Sequence, residues 1–234
     1  RPAHTSFSYG LYAFNSTANP AQHKEISGNK MVLHGNSTLY GLYSTATAGG
    51  DPLLIANNMI SLINKNANST TIGIYVNNGG RWHVYHNSVL IKGGSKTFGR
   101  GVYVTGFTNP TTEPNFGSHR ILNNCVANMN GGLAVEVASG TVVTAPGYVT
   151  MNFNNWYSEG GNIGEYANVP YADLGAWQAA TGFDGISVSA NPKYNADDDL
   201  HANSIQVDTR GTLVGVATDI DGDVRCPGPG CPGG

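Results

Sequence analysis

Asp219, Asp221 and Asp223 alternate in the segment Asp-Ile-Asp-Gly-Asp. Carboxylates at every second position can gather hard oxygens around Ca²⁺ when a glycine, here Gly222, lets the chain turn tightly. The complete calcium loop is missing and Arg225 stands nearby, so an Asp-capped turn with Asp221 paired to Arg225 accounts for the same residues. A basic set also stands out: Arg81, His83 and His86, then Lys92, Arg100, His119 and Arg120. Arg100 or Lys92 could take the proton beside a uronate carboxylate, helped by His83, as lyase chemistry requires. The plainer reading makes them solvated strand and turn residues, with His86 standing where Asn57 and Asn123 stand elsewhere. Tyr12, Tyr43, Tyr75 and Tyr103 recur in one triplet context, either as a stacking platform for sugar rings or as a ladder that shields a sheet.

Other chemistries find less support. A glycosidase needs two carboxylates roughly 5 to 10 Å apart, and before residue 160 only Glu25, Asp51, Glu113, Glu136 and Glu159 supply any, with no pair recurring at one repeat position. No Ser/His/Asp pattern, phosphate-cradling Gly loop or His-Glu-x-x-His motif occurs. Cys226 and Cys231, in Cys-Pro-Gly-Pro-Gly-Cys, could close a small disulfide loop in an oxidising compartment. Two cysteines alone lack the further ligands zinc needs, and Cys125 reads as an inert, partly buried thiol.

These residues need a scaffold, and composition narrows it. The 234-residue chain is 12% charged, with 12 Lys/Arg, 15 Asp/Glu and a net charge of −3, against roughly 25% charged in an average domain. Scattered single cations exclude counterion-release binding to nucleic acid, and no apolar run reaches the roughly 18 residues of a membrane span. Gly and Asn make up about a quarter of the chain, which disfavours long helices.

Repetition explains that bias. The triplets Gly10-Leu11-Tyr12, Gly41-Leu42-Tyr43, Gly73-Ile74-Tyr75 and Gly101-Val102-Tyr103 recur about every 30 residues, followed by a worn copy at Gly132-Leu133-Ala134. On the same period an apolar residue precedes an Asn by three: Ile26/Asn29, Ile55/Asn58, Val84/Asn87 and Ile121/Asn124, with a fifth copy at Asn154 or Asn155. Each unit reads as two or three short strands that cannot bury their own face, and stacking such units is the logic of a parallel β-helix. The expectation is an all-β, right-handed parallel β-helix solenoid of about five rungs over 1–165, a C-terminal cap over 166–225 and a Cys/Pro/Gly-rich tail over 226–234. Asn29, Asn58, Asn87 and Asn124 then form a structural ladder. If Leu11, Leu42, Ile74, Val102 and Leu133 point inward, the Tyr residues point outward.

The longest rung insertion, Thr105 to Ser118, marks a candidate binding loop. Asp173 as N-cap and Gly182 as stop predict one short helix whose Leu174, Trp177 and Ala180 share a face, followed by strands at Ile186–Ser189 and Ser204–Val207. Asn15, Asn36 and Asn68 head Asn-Ser-Thr sequons in turns. The N-terminal end shows no comparable cap, which suggests a fragment of a longer polypeptide.

With its Asn-bearing rungs and the tail residues Tyr157-Ser158, Trp177-Gln178, Ala180-Thr181-Gly182, Asn191-Pro192, Asp199-Leu200-His201 and Thr218-Asp219-Ile220-Asp221-Gly222, the chain resembles the parallel β-helix proteins of the pectate-lyase-like superfamily, in the flavour found in secreted and surface proteins of Bacteroidota. In that group the Asp-Ile-Asp-Gly segment leads into a final acidic strand, whereas here Cys-Pro-Gly-Gly follows. The resemblance implies export, commonly by the type IX route, and a secreted or cell-surface location. It does not imply one activity, because the group includes lyases, hydrolases and adhesins. The reading is a non-catalytic stalk or adhesin with glycans or other surface and secretion components as candidate partners, and no cofactor apart from the candidate calcium. The alternative is a polysaccharide lyase or glycoside hydrolase acting on uronate-containing glycans.

Overall fold

The computed structural model describes residues 7–14, 24–46, 52–79, 81–105, 119–138, 149–208 and 210–225. After β1 (Phe7–Ala13), the chain repeats a three-strand passage. Its first two rounds are β2 (Lys24–Ser27), β3 (Lys30–Gly35) and β4 (Thr38–Ala46), then β5 (Leu53–Ala56), β6 (Met59–Asn64) and β7 (Thr71–Gly79). The next are β8 (Trp82–Tyr85), β9 (Ser88–Gly93) and β10 (Gly99–Thr105), then β11 (His119–Leu122), β12 (Cys125–Asn128) and β13 (Leu133–Val137). Last come β14 (Val149–Asn152), β15 (Asn155–Ser158) and β16 (Gly164–Tyr166), after which β17 (Val169–Tyr171) folds back antiparallel and α1 (Leu174–Thr181) follows.

Like-placed strands stack in parallel into three sheets. Sheet A runs β1-β4-β7-β10-β13-β16-β17, sheet B β14-β11-β8-β5-β2 and sheet C β15-β12-β9-β6-β3. Five strands are separated by four stacking steps, so this is an all-β parallel solenoid of about four turns, close to the five rungs expected. Inward residues from all three sheets, among them Leu42, Ile55, Ile60, Ile74, Val84, Val89, Val102, Ile121 and Val126, form one continuous core. Among the described residues no helix is long and apolar enough to cross a membrane.

The corner between sheets B and C shows why the repeat needs its asparagines. One residue per rung is left-handed there: Gly28, Asn57, His86, Asn123 and Phe153, with φ between 53° and 67°. Gly and Asn tolerate that conformation best. The next residue is the ladder Asn, and each Nδ2 donates to the Oδ1 one rung on: Asn29 to Asn58 at 2.8 Å, Asn58 to Asn87 at 2.9 Å, Asn87 to Asn124 at 3.0 Å and Asn124 to Asn154 at 3.1 Å. The fifth copy is therefore Asn154, while Asn155 exchanges bonds with Ala190.

Each amide donates a hydrogen bond to the next, and the last, Asn154, donates to a carboxylate. That acceptor is Asp184, whose Oδ1 lies 3.0 Å from Asn154 Nδ2 and whose Oδ2 accepts from Trp177 Nε1 at 2.9 Å. Burial raises the Asp184 pKa, opposed by bonds from Ser187, Asn154 and Trp177. Trp177 is fully buried and faces Tyr166 and Tyr171 edge-on, so α1 closes the last rung. Asp173 Oδ1 caps the helix by accepting from Ala176 N at 2.8 Å, and Gly182 ends it with φ of 72°. Leu174 packs on the core, whereas Ala180 is exposed.

The segment after α1 departs from expectation. Ile186–Ser189 contributes only a bridge between Val188 and Asn155, and Ser204–Val207 is a turn. Instead of forming strands, residues 186–225 run as an irregular strap back along the solenoid. Tyr194 OH bonds Cys125 O, Asn123 bonds Thr212 through both main-chain groups, Asn57 Nδ2 bonds Thr218 O, and Asp221 reaches Lys30 of the first rung at 3.1 Å. Tyr194, Leu200 and Ile220 cover the outer face of sheet C, and Val214 and Val216 that of sheet B.

Candidate functional site

The strap covers parts of sheets B and C, which leaves the outer face of sheet A to be built up from its triplets. A Cβ on Gly73 would come within 2.3 Å of Val89 Cγ1 and 2.5 Å of Gly101 O, so glycine lets the strand dip toward sheet C. The following Leu42, Ile74 and Val102 are also fully buried. Two successive inward positions displace the alternation, and both Tyr9 and Tyr12, three residues apart, emerge outside with their rings 5.0 Å apart.

The register partners Tyr12, Tyr43, Tyr75 and Tyr103 form one column and Tyr9 and Tyr40 begin another. The column does not stack continuously, because Tyr43 meets Tyr75 edge-on at 81°. Stacking crosses columns instead: Tyr9 on Tyr40 at 5.0 Å, Tyr40 on Tyr75 at 6.1 Å and Tyr75 on Tyr103 at 4.7 Å. The Arg100 guanidinium lies 5.4 Å over Tyr103 and closes this stack. A second stack joins Phe14, Tyr12 and Tyr43. The rings of β1 and of the adjoining Phe14 keep the most open surface, with Tyr9 41%, Tyr12 49%, Phe7 62% and Phe14 63% exposed. Burial raises the hydroxyl pKa values of Tyr9, Tyr40 and Tyr75; Tyr103 is pushed up to about 12 by burial and then by Glu136.

The last triplet is shifted by two residues from the sequence reading. Val135, not Leu133, pairs with Val102, and Ala134 takes the glycine position. Glu136 therefore extends the Tyr column and Glu165 follows it. This pair of carboxylates on adjacent rungs is not legible in the sequence, because the two-residue shift moves Glu136 into the Tyr register only once the strands are paired. Glu136 is 4% exposed and held by Arg100; burial raises its pKa and Arg100 opposes the rise. The two carboxylates thus do not stand open together.

The candidate base residues fall on three different faces. Arg100 is on sheet A, Lys92 projects from β9 on sheet C and pairs with Asp197 of the strap, and His83 lies outside sheet B, stacked on Tyr85 at 5.3 Å. They do not converge on one reacting atom. His86 sits in the corner, where Asn123 Nδ2 donates to its Nε2, and burial followed by Arg225 lowers its pKa to about 3. His119 is buried against Trp82, with its pKa also lowered to about 3 by burial and then His83.

Asp219 Oδ1 accepts the N–H groups of Asp221 and Asp223, both at 2.9 Å. Asp221 pairs with Lys30 and His201 rather than with Arg225, which donates to Asn57 Oδ1 at 2.9 Å. Among the described residues no three His, Cys, Asp or Glu side chains are grouped to hold a metal ion. Cys226, Cys231, Asn15, Asp51, Glu113 and residues 106–118 of the long insertion lie outside the described residues. No family model, curated protein or solved structure matches this chain.

Proposed function

We propose that the chain is a non-catalytic module of an exported bacterial cell-surface protein of the pectate-lyase-like kind, a rigid stalk or adhesin whose sheet A contacts glycans. The observation that carries this reading is the distribution of cover among the described residues: apolar strap residues pack on sheets B and C, while sheet A carries an eight-ring belt of Phe7, Tyr9, Tyr12, Phe14, Tyr40, Tyr43, Tyr75 and Tyr103. Aromatic rings with polar tips suit contacts that are apolar on one side and wet on the other. A large exposed apolar patch on a soluble fold marks an interaction site. The separation of Arg100, Lys92 and His83 on three faces argues against the lyase alternative, because proton abstraction and carboxylate neutralisation must occur at one place.

The test has two arms. Incubation with polygalacturonate and alginate, followed by absorbance of unsaturated products, is expected to show no turnover. A glycan array is expected to show binding that Tyr75→Ala weakens. Turnover would establish the enzyme reading, and binding unchanged by Tyr75→Ala would remove sheet A from the function.

A further inference from the structure

Sheet A carries two stripes, not one. Beside the aromatic belt, Thr45, Asn77 and Thr105 are register partners on successive rungs. Thr105 Oγ1 donates to Asn77 Oδ1 at 2.7 Å, Asn77 Nδ2 donates to the Tyr43 hydroxyl at 3.0 Å, and Thr105 Oγ1 lies 3.4 Å from the Tyr75 hydroxyl. Hydroxyl and amide groups thus border the rings on three successive rungs, β4, β7 and β10, repeating at about 4.8 Å along the solenoid axis.

The charge on this face is equally specific. The strands of sheet A contain three charged residues, Arg100, Glu136 and Glu165. Arg100 is engaged by Glu136, and among the described residues Glu165 has no ion-pair partner. A uronate chain brings a carboxylate on each acidic sugar and needs cations to receive them. Among the described strand residues of this sheet the one cation is spent, and the Tyr column ends in Glu165, a carboxylate that repels anions.

Resting on the glycan-binding reading above, we infer that sheet A takes a linear neutral polysaccharide laid along the solenoid axis. The C–H faces of its sugar rings lie on the aromatic belt, and its hydroxyl edge meets the Thr45–Asn77–Thr105 stripe. Specificity against uronates comes from the sign of the charge, and orientation comes from two stripes that both run along the axis.

Affinity electrophoresis of the full chain through gels containing glucomannan, xyloglucan or hydroxyethylcellulose, against polygalacturonate and alginate, tests the inference. At least one neutral polymer is expected to retard the protein and neither uronate polymer should. Tyr12→Ala is expected to weaken retardation about tenfold, and Thr105→Val to weaken it by a smaller factor. Thr150→Ala on the outside of sheet B should leave retardation unchanged. Each variant is first shown to keep the parent's denaturation midpoint; Tyr9→Ala replaces Tyr12→Ala if the latter does not. Retardation by uronates alone overturns the neutral-ligand inference and leaves glycan binding standing. Retardation by no polymer overturns both. Retardation by neutral polymers that survives Tyr12→Ala and Thr105→Val unchanged places the ligand elsewhere and also overturns the inference.

Discussion

Truncating one ladder amide in mid-stack is expected to cost far more than truncating the first. Asn87 is 1% exposed and makes four side-chain bonds. Its Oδ1 accepts from Asn58 N at 3.1 Å and Asn58 Nδ2 at 2.9 Å, and its Nδ2 donates to Ile55 O at 2.9 Å and Asn124 Oδ1 at 3.0 Å. In Asn87→Ala the Asn58 amide Nδ2 retains Ile26 O and Asn124 Oδ1 retains Asn87 N, but the main-chain N–H of Asn58 loses this acceptor in a dry corner. A neutral bond contributes about 1 kcal/mol net and an orphaned buried donor costs about 1–3 kcal/mol, so three lost bonds and one orphaned donor should cost about 4–6 kcal/mol. Asn29 is only partly buried and donates to Ser27 O and Asn58 Oδ1; water can replace those bonds, and Asn29→Ala should cost about 1 kcal/mol or less. Urea denaturation followed by circular dichroism measures both midpoints, with equal slopes required before conversion to free energy. An Asn87→Ala loss no larger than that of Asn29→Ala would refute the ladder as the device that holds the corner.

Gly73→Ala should destabilise by about 3 kcal/mol, because the added methyl meets both Val89 Cγ1 and the Gly101 carbonyl below 3 Å; thermal melts check it. Trp177→Ala should lower stability by about 3–5 kcal/mol, with hydrogen exchange rising first in β15, β16 and β17 rather than in β5 to β7. The strap should be held in a pH-dependent way by His201, which lies between Asp199 and Asp221, with Lys30 on Asp221 and with Asp219, Arg225 and His86 around the same cleft. Burial lowers the imidazole pKa, but its bonds to Asp199 and Asp221 outweigh this and leave it raised; Lys30 and then His201 lower that of Asp221, and Asn195 and then His201 lower that of Asp199. A raised folded-state value means that the His201 contribution is complete below about pH 6.5 and is lost as pH rises through the folded value; the carboxylate contributions are lost as pH falls below about 4. Amide exchange over 217–225, corrected for intrinsic rate, should therefore be slower at pH 5.5 than at pH 8.5, and His201→Gln should remove the difference.

The repeat made the solenoid legible, because a rung must turn in the same places each time and those places demand Gly and Asn. The apolar-before-Asn rule even distinguishes Asn154, preceded by Met151, from Asn155, preceded by Asn152. Strict alternation, however, puts Tyr9 and Tyr12 on opposite faces, so the Gly-induced dip hid half of the aromatic belt. Ala134 at a glycine position disguised the last triplet, since its neighbour there is Ile163 rather than another glycine. The strap was illegible for another reason. It has no period, and its anchors Lys30, Asn57, Lys92 and Asn123 look like ordinary solvated polar residues until their partners, 89 or more positions away in the chain for Asn123, are brought to them.

The central claim, that sheet A is the contact face of a module without catalysis, is tested most directly by ¹H–¹³C spectra of the tyrosine rings during titration with a soluble neutral oligosaccharide. Shifts confined to Tyr9, Tyr12, Tyr40, Tyr43, Tyr75 and Tyr103, with the sugar recovered unchanged, are the expected result. Shifts at Tyr85, Tyr157 or Tyr194 with the sheet A rings unmoved, or a cleaved sugar, would contradict it.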